Sequence, residues 1–167
     1  MQAMIKVAEE VPQARILIQC SPDLDVPSQF IRLPRLSHRE IRDLYRSASV
    51  IVVPTRHNEH FSGMTVALEA MSVGRPVVLS DTPGASDYVR PGVDGFLVPP
   101  GDVVGFAHRV VELLRDPEAA ERLGEAGAMA VASRFQQRHL AKSIREFVEF
   151  LHASEEDSGL SSRAARG

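Results

Sequence analysis

Apolar residues along this chain of 167 residues form short β-branched runs separated by longer amphipathic stretches. Such short runs are typical of strands. They predict strands at Arg15–Cys20, Gln29–Leu33, Ser49–Pro54, Pro76–Ser80 and Gly95–Val98. The run Ser49–Pro54 is apolar at nearly every position, as in the buried strands of a parallel sheet. Because helical patterns alternate with these strands, the sequence predicts an α/β fold with a mostly parallel sheet.

Six other stretches have apolar residues at helical spacing. They are Met1–Glu10, Ser37–Ala48, a short helix that follows the Ser62-Gly63 turn and stops at Gly74, Asp102–Arg115, Pro117–Ser133 and Gln136–His152. The apolar face of the first helix would consist of Met1, Met4, Ile5 and Ala8. Ser37, with Glu40 three residues later, has the pattern of a capping box. We expect one domain over residues 1–152 and a disordered polar tail over residues 153–167.

Composition narrows the class of protein. The hydrophobic content of 44% and the charged content of 25% are ordinary for a globular domain. A net charge of −3 gives no electrostatic reason to expect nucleic acid as a partner. The single cysteine excludes an internal disulfide framework and suits a reducing cytoplasm. No apolar run is long enough to span a bilayer, so we expect a cytoplasmic protein whose contact with the inner face of the membrane is at most peripheral.

The densest polar cluster follows the third predicted strand, in the loop Thr55–His60. Ligands of parallel sheets bind at the carboxyl ends of the strands, where this loop lies. The backbone N–H groups that begin the next helix, around Gly63, would suit a phosphate or diphosphate. We also expect the glycine to let a ligand approach the backbone closely.

Glu69 is the one carboxylate in that otherwise apolar helix. We expect it to be buried, and a buried carboxylate needs a partner, either a hydroxyl-rich ligand or a buried donor. About two turns into the helix, it is placed to accept hydrogen bonds from the diol of a ribose or sugar. The loop, the helix start and Glu69 together describe a nucleotide-sugar pocket.

Other polar and aromatic residues have simpler interpretations. The arginines between Arg35 and Arg46 lie near one helical face, which we expect to be solvated rather than bound to anionic lipid. His57 and His60 lack further ligands at metal spacing, so we predict a loop surface and no metal site. Tyr45 and Phe147 are expected to be core anchors.

Three segments together resemble the C-terminal half of family 4 GT-B glycosyltransferases. They are DLYRSASVIVVPT (Asp43–Thr55), SGMTVALEAMSVGRPVVLSDTPGASDYV (Ser62–Val89) and GVDGFLVPPGD (Gly92–Asp102). The resemblance extends from Met1 to about Leu151. It implies a Rossmann-like doubly wound parallel sheet, the donor-binding domain of the GT-B fold. It also implies transfer of a sugar from a nucleotide-diphosphate sugar to a glycan or lipid-linked acceptor, with retention and without a metal or other cofactor.

The resemblance also implies roles for individual residues. Glu69 would bind the ribose of the donor. Residues along the diphosphate and donor sugar would be Ser62, Gly63, Met64 and Thr65. Arg35 and Leu36, in the loop after the second strand, would lie near the base. No catalytic residue is assigned by the match.

Two departures from the family pattern concern the donor site. The family usually has a glutamate eight positions before the one matching Glu69, and Phe61 stands there. Glu59 is two positions out of register, so that role does not transfer to it. Glycine is also usual at the position of Pro34, and a Gly-Gly turn is usual where Pro83-Gly84 stands. The identity of the donor sugar therefore stays open.

The family's first strand and its N-terminal acceptor-binding domain have no counterpart in this sequence. That strand is central in the family, between the strands matching Arg15–Cys20 and Ser49–Pro54, so its absence would leave two inner edges unpaired. We hypothesise that Met1 is an internal methionine of a longer enzyme, or that the chain is a remnant. Two functions stay open: the donor-binding half of a glycosyltransferase, and a non-catalytic nucleotide-sugar-binding subunit that needs a partner chain. A GT-B-type epimerase is a weaker third.

Overall fold

This computed structural model describes residues 1–20, 23–57 and 62–135. The loop residues Asn58–Phe61, the predicted helix Gln136–His152 with Phe147, and the tail 153–167 lie outside the described residues. Two compact units divide the chain, Met1–Val131 and Ala132–Gly167. The first contains all five strands described below. In the second, the Arg134 guanidinium lies over the Phe135 ring, 4.8 Å from its centroid.

The order of helices and strands agrees with the sequence prediction. The helices are α1 (Gln2–Glu10), α2 (His38–Ser47), α3 (Met64–Ser72), α4 (Val103–Arg115) and α5 (Pro117–Arg134), with a 3₁₀ turn at Ala85–Asp87 before the last strand. The strands are β1 (Leu17–Ile18), β2 (Ile31–Arg32), β3 (Ile51–Val53), β4 (Val77–Ser80) and β5 (Phe96–Val98). The first two strands are much shorter than their apolar runs, because only two residues of each are paired.

All strand pairs among the described residues are parallel, but they form two separate sheets. One contains β1 and β2, and the other has the order β3-β4-β5. The break falls between β1 and β3, where the resemblance implied a further strand. In the described part of the chain, β1 therefore pairs only with β2 and β3 only with β4. Within the described residues, β1 and β3 thus each have one edge without a strand partner.

The central strand β4 divides the core into two layers. Its four residues are all buried, and successive side chains of a strand point to opposite faces. Val78 packs into the cluster formed with α1 and α4, which includes Val7 and Phe106. Val77 and Leu79 pack into the cluster formed with α3 on the other face. The carboxyl end of β4 is thus held between helices on both sides.

The buried face of α1 differs from the apolar face predicted from the sequence. Val7 is the buried residue of this helix, whereas Met1 is exposed. Ala3 and Met4 pack beside Val7 against α4. Of the predicted residues Met1, Met4, Ile5 and Ala8, Met4 thus packs against α4 as expected, and the face is rotated towards Ala3 and Val7.

The arginine face predicted on α2 is solvated. Arg42 and Arg46 keep about half or more of their side chains exposed and both lie near Asp43, at 3.0 Å and 3.9 Å. Exposed pairs of this kind contribute little to stability. None of the described helices is both long and apolar enough to cross a membrane.

Ser37 begins α2 with the predicted capping box. Its hydroxyl accepts from the Glu40 backbone N–H, and the Glu40 carboxylate accepts from the Ser37 backbone N–H at 2.8 Å. We expect Ser37→Ala to lower the unfolding temperature by roughly 3–5 °C, since a capping serine contributes about 1 kcal/mol. Differential scanning calorimetry measures this. Ser47→Ala, at the other end of α2, is the matched control and should leave the temperature nearly unchanged.

The same contacts make the capping effect depend on pH. Hydrogen bonds from Ser37 lower the pKa of the Glu40 carboxyl below its ordinary value of 4.5. A lowered pKa in the folded state stabilises the fold above the unfolded value, and this contribution is lost as the pH falls through the folded value. The difference between wild type and Ser37→Ala should therefore shrink below about pH 4.5. An equal difference at pH 7 and pH 3 would contradict this assignment.

Candidate functional site

The loop after β3 is anchored to the neighbouring strand. The Ser80 hydroxyl, at the end of β4, donates to the Thr55 carbonyl oxygen at 2.7 Å. Ser80 is buried and Thr55 half-buried. The Thr55 hydroxyl oxygen is itself buried and has no hydrogen-bond partner among the described residues. The bond from Ser80 to the Thr55 carbonyl holds the start of the polar loop at the carboxyl edge of the three-stranded sheet, where parallel sheets bind ligands.

Gly63 brings the start of α3 against the end of β3. Its φ angle is +88°, a left-handed conformation that favours glycine. A Cβ at this position would lie 2.5 Å from Cγ1 of Val53 and 3.1 Å from Cγ2 of Thr55. The sequence predicted that this glycine serves the approach of a ligand. The structure gives a further reason for a glycine here, because a side chain at this position would not fit between α3 and β3.

The N-terminus of α3 is left open by its own sequence. Its N-cap residue is Gly63, which has no side chain to cap the helix, and the first turn contains no acidic residue. The N–H groups of the first turn have no partners within a helix, and the helix dipole adds partial positive charge there. This end of α3 therefore has the chemistry of an anion site.

The residues predicted along a diphosphate differ in what they present. Ser62 and Thr65 are both exposed residues. Met64 is buried, with 7% of its surface accessible, and packs into the core beside Val53. Only the backbone N–H of Met64 is thus left to meet a ligand.

Glu69 is exposed, and the expectation of a buried carboxylate was wrong. The buried residues of α3 are Met64, Ala67, Ala70 and Met71. Glu69 instead lies on the exposed face with Thr65 and Ser72, which are four residues before it and three after it. The helix is a core helix as predicted. Although the helix is mostly apolar, Thr65, Glu69 and Ser72 form one exposed polar stripe along it.

Tyr45 of α2 is the protein partner of Glu69. The two helices pack together, and the phenol hydroxyl donates to the Glu69 carboxylate. Burial raises the pKa of Tyr45 above its ordinary value of 10.0, and the charge of Glu69 and this hydrogen bond raise it further. Tyr45 is half-buried, so it bridges two helices rather than anchoring the core as predicted.

The predicted base-binding residues lie in the loop before α2. Arg35 is exposed and Leu36 half-buried. They directly precede Ser37, which caps α2, and Tyr45 stands about 12 Å further along that helix. The same helix therefore connects the loop of Arg35 and Leu36 to the Glu69 side of α3.

The family of glycosyl transferases group 1 matches residues 11–129, which is well over half of the chain. The chain belongs to this family. The matched segment includes every predicted site residue from Arg35 to Glu69. It also includes all five strands described above.

Individual relatives and solved structures agree with the family assignment. A D-inositol 3-phosphate glycosyltransferase of Thermobispora bispora is 38% identical over 123 residues, 71% of this chain and 28% of that protein. Sucrose-phosphate synthase of Thermosynechococcus elongatus has a TM-score of 0.74 at 24% identity, over 92% of this chain and 42% of that one. Anabaena HepE, solved with UDP and glucose, has a TM-score of 0.64 at 24% identity, over 73% of this chain and 32% of that one.

These comparisons establish a GT-B glycosyltransferase fold. They also show that the chain spans less than a third of the length of the curated relatives it matches. The solved neighbours are likewise matched over only part of their chains.

Asp94 is a buried acidic residue that the sequence did not point to. Its side chain is fully buried and accepts from the Arg90 backbone N–H and from Arg90 Nε, both at 2.6 Å. These bonds close the turn that leads into β5. The neighbours of Asp94 in the sequence do not indicate this burial, because burial of a turn residue depends on the elements packed around it.

A cleft in the described part of the chain lies on the other side of the sheet from α3. It has a volume of about 300 Å³ and is lined by the start of α1, the end of β3 and the start of α4, with Thr55, Arg56, Ser80 and Asp102 as its polar residues. Neither Glu69 nor Ser62 lines it. None of the other predicted donor residues lines this cleft either.

The side chains of the described residues do not form a metal site. Among the described residues, no three His, Cys, Asp or Glu side chains are grouped so that they would hold a metal ion. His57 is exposed, and His60 lies outside the described part of the chain. A metal-free reaction remains a prediction from the family resemblance.

Proposed function

We propose that this chain is the donor-binding part of a retaining glycosyltransferase. It would bind a nucleoside diphosphate sugar and take part in transfer of the sugar to a glycan or lipid-linked acceptor. The observation that carries the proposal is the start of α3, an uncapped helix N-terminus pressed against the carboxyl end of β3 by Gly63. The family assignment and the UDP and glucose in the Anabaena neighbour support it.

The proposed contacts follow the exposed stripe of α3. The backbone N–H groups of Met64 and Thr65 would donate to the diphosphate, together with the Ser62 and Thr65 hydroxyls. Glu69, about one turn beyond Thr65, would accept from the ribose diol. Arg35 and Leu36 would contact the base.

In the reaction, positive charge develops on the sugar and negative charge on the departing diphosphate. Donors aimed at the diphosphate stabilise that negative charge without having to reorganise. The open N-terminus of α3 would supply part of this stabilisation.

A second function is favoured by the unpaired edges of β1 and β3. Open strand edges pair readily with an extended segment of another chain. The chain would then be a non-catalytic nucleotide-sugar-binding subunit that works with a partner. Sugar transfer by the purified chain alone would exclude this alternative.

Calorimetric titration with UDP, GDP and ADP tests the proposal directly. We expect one of the three to bind, and inorganic phosphate to bind much more weakly, because the base and the ribose add contacts. Absence of binding for all three nucleotides would overturn the proposal.

Glu69→Gln tests the ribose contact. We expect it to raise the Kd of the nucleoside diphosphate by about 5- to 150-fold, since a lost hydrogen bond to a charged group costs about 1–3 kcal/mol. Glu118→Gln is the matched control, because Glu118 is an exposed helical glutamate with 89% of its side chain accessible. An unchanged Kd for Glu69→Gln would limit Glu69 to its contact with Tyr45.

A further inference from the structure

The Tyr45–Glu69 contact joins an exposed carboxylate to a half-buried phenol. Glu69 lies on the solvent side of α3, whereas Tyr45 lies between α2 and α3. An exposed glutamate samples many rotamers, and ordering it costs free energy when a ligand binds. A hydrogen bond from a side chain that is itself held by packing reduces this cost before any ligand arrives.

We propose that Tyr45 is a positioning residue for donor binding, which holds the Glu69 carboxylate ready to accept from the ribose diol. This inference rests on the proposed function. Tyr45 itself need not touch the nucleotide. Its hydroxyl fixes one side of the carboxylate and leaves the other side free.

The chemistry of the two groups fits this division. An ionised carboxylate has about four acceptor positions, and a vicinal diol needs two of them. The phenol hydroxyl, as the donor, occupies one. Burial and the charge of Glu69 keep the pKa of Tyr45 above 10.0, so the hydroxyl retains its proton at neutral pH. The Tyr45 hydroxyl therefore donates to Glu69 throughout the neutral pH range.

The position of Tyr45 in α2 adds a second consequence. Ser37 caps the same helix directly after Arg35 and Leu36, the residues proposed to contact the base. A rigid helix thus links the base side of the site to the carboxylate proposed for the ribose. Tyr45 would fix the spacing between the two.

The test compares UDP with 2′,3′-dideoxy-UDP on the full chain and its Tyr45→Phe variant. Phenylalanine keeps the ring between the helices and removes only the hydroxyl. We expect the Kd of UDP to rise about threefold to tenfold in Tyr45→Phe, the effect of a modest loss of orientation. The Kd of the dideoxy analogue should stay the same, because that ligand has no diol. A purely structural role would weaken both ligands equally.

Two further variants make the outcome decisive. Tyr88→Phe alters the other tyrosine of the chain and should leave both Kd values unchanged. In the Glu69→Gln background, Tyr45→Phe should have no further effect on UDP, because the group it positions is gone. Calorimetric unfolding of each variant identifies any loss of the fold.

The results separate this inference from the proposed function. If Glu69→Gln weakens UDP binding and Tyr45→Phe does not, the positioning role is wrong and the ribose role stands. If wild type binds UDP and the dideoxy analogue equally well, the ribose contact itself is wrong, and the role of Tyr45 falls with it. Equal weakening of both ligands by Tyr45→Phe would also overturn the positioning role.

Discussion

Gly63→Ala should destabilise the chain by about 3 kcal/mol, from backbone strain of about 1–2 kcal/mol and steric overlap of a similar size. The strain arises because φ is +88° at this position. The overlap arises because the new methyl group would lie 2.5 Å from Cγ1 of Val53. Relief of that overlap requires α3 to move away from β3. Urea unfolding followed by circular dichroism measures the loss of stability.

Gly101→Ala is the matched control for Gly63→Ala. Gly101 has a nearly equal φ of +86°, but nothing lies within 4 Å of its Cβ position. It should therefore show the strain alone, about 1–2 kcal/mol. The difference between the two variants measures the close contact of α3 with β3. Equal effects would mean that this contact is not tight.

The effect of Gly63→Ala on nucleotide binding follows from the same geometry. The first-turn N–H groups of α3 are positioned by the contact with Val53, so a shift of the helix moves the proposed diphosphate donors. We expect the Kd of the nucleoside diphosphate to rise in Gly63→Ala and to stay unchanged in Gly101→Ala. Thermal unfolding is recorded in parallel to show that both variants are folded at the temperature of the titration.

Asp94→Asn should destabilise the chain by about 2–3 kcal/mol. Asp94 is fully buried, and its two oxygens accept from the backbone N–H and the Nε of Arg90. Asparagine has nearly the same shape but replaces one acceptor with a donor, which would face the Arg90 guanidinium. The turn into β5 would lose its closing bond, and the helices around it would be loosened. Urea unfolding measures the change.

Asp43→Asn is the control for Asp94→Asn. Asp43 also pairs with arginine, but 61% of its side chain is exposed, so the pair is screened by water. We expect a change of at most about 0.5 kcal/mol at this position. A loss at Asp94 as small as that at Asp43 would show that the buried carboxylate contributes no more than a surface pair.

Features set by neighbours in the sequence were predicted correctly. The capping box of Ser37 and Glu40 needs only residues three apart, and it is present. The apolar runs identified the three strands of the second sheet to within two residues, because these strands are apolar at every position except Ser80. All five predicted runs are longer than the strands, and β1 and β2 keep only two paired residues each, since an apolar run continues beyond the residues that find a partner.

The sequence by itself determined the α/β class, the order of helices and strands, and the family, because these depend on local periodicity and on motifs in fixed order. Tertiary structure alone decided that Glu69 is exposed and bound to Tyr45, which depends on how α2 packs against α3. It also decided that Asp94 is buried and that Gly63 presses against Val53. Burial and contact depend on how helices and strands distant in the sequence pack together. The composition of a helix does not show which of its faces is packed and which is exposed.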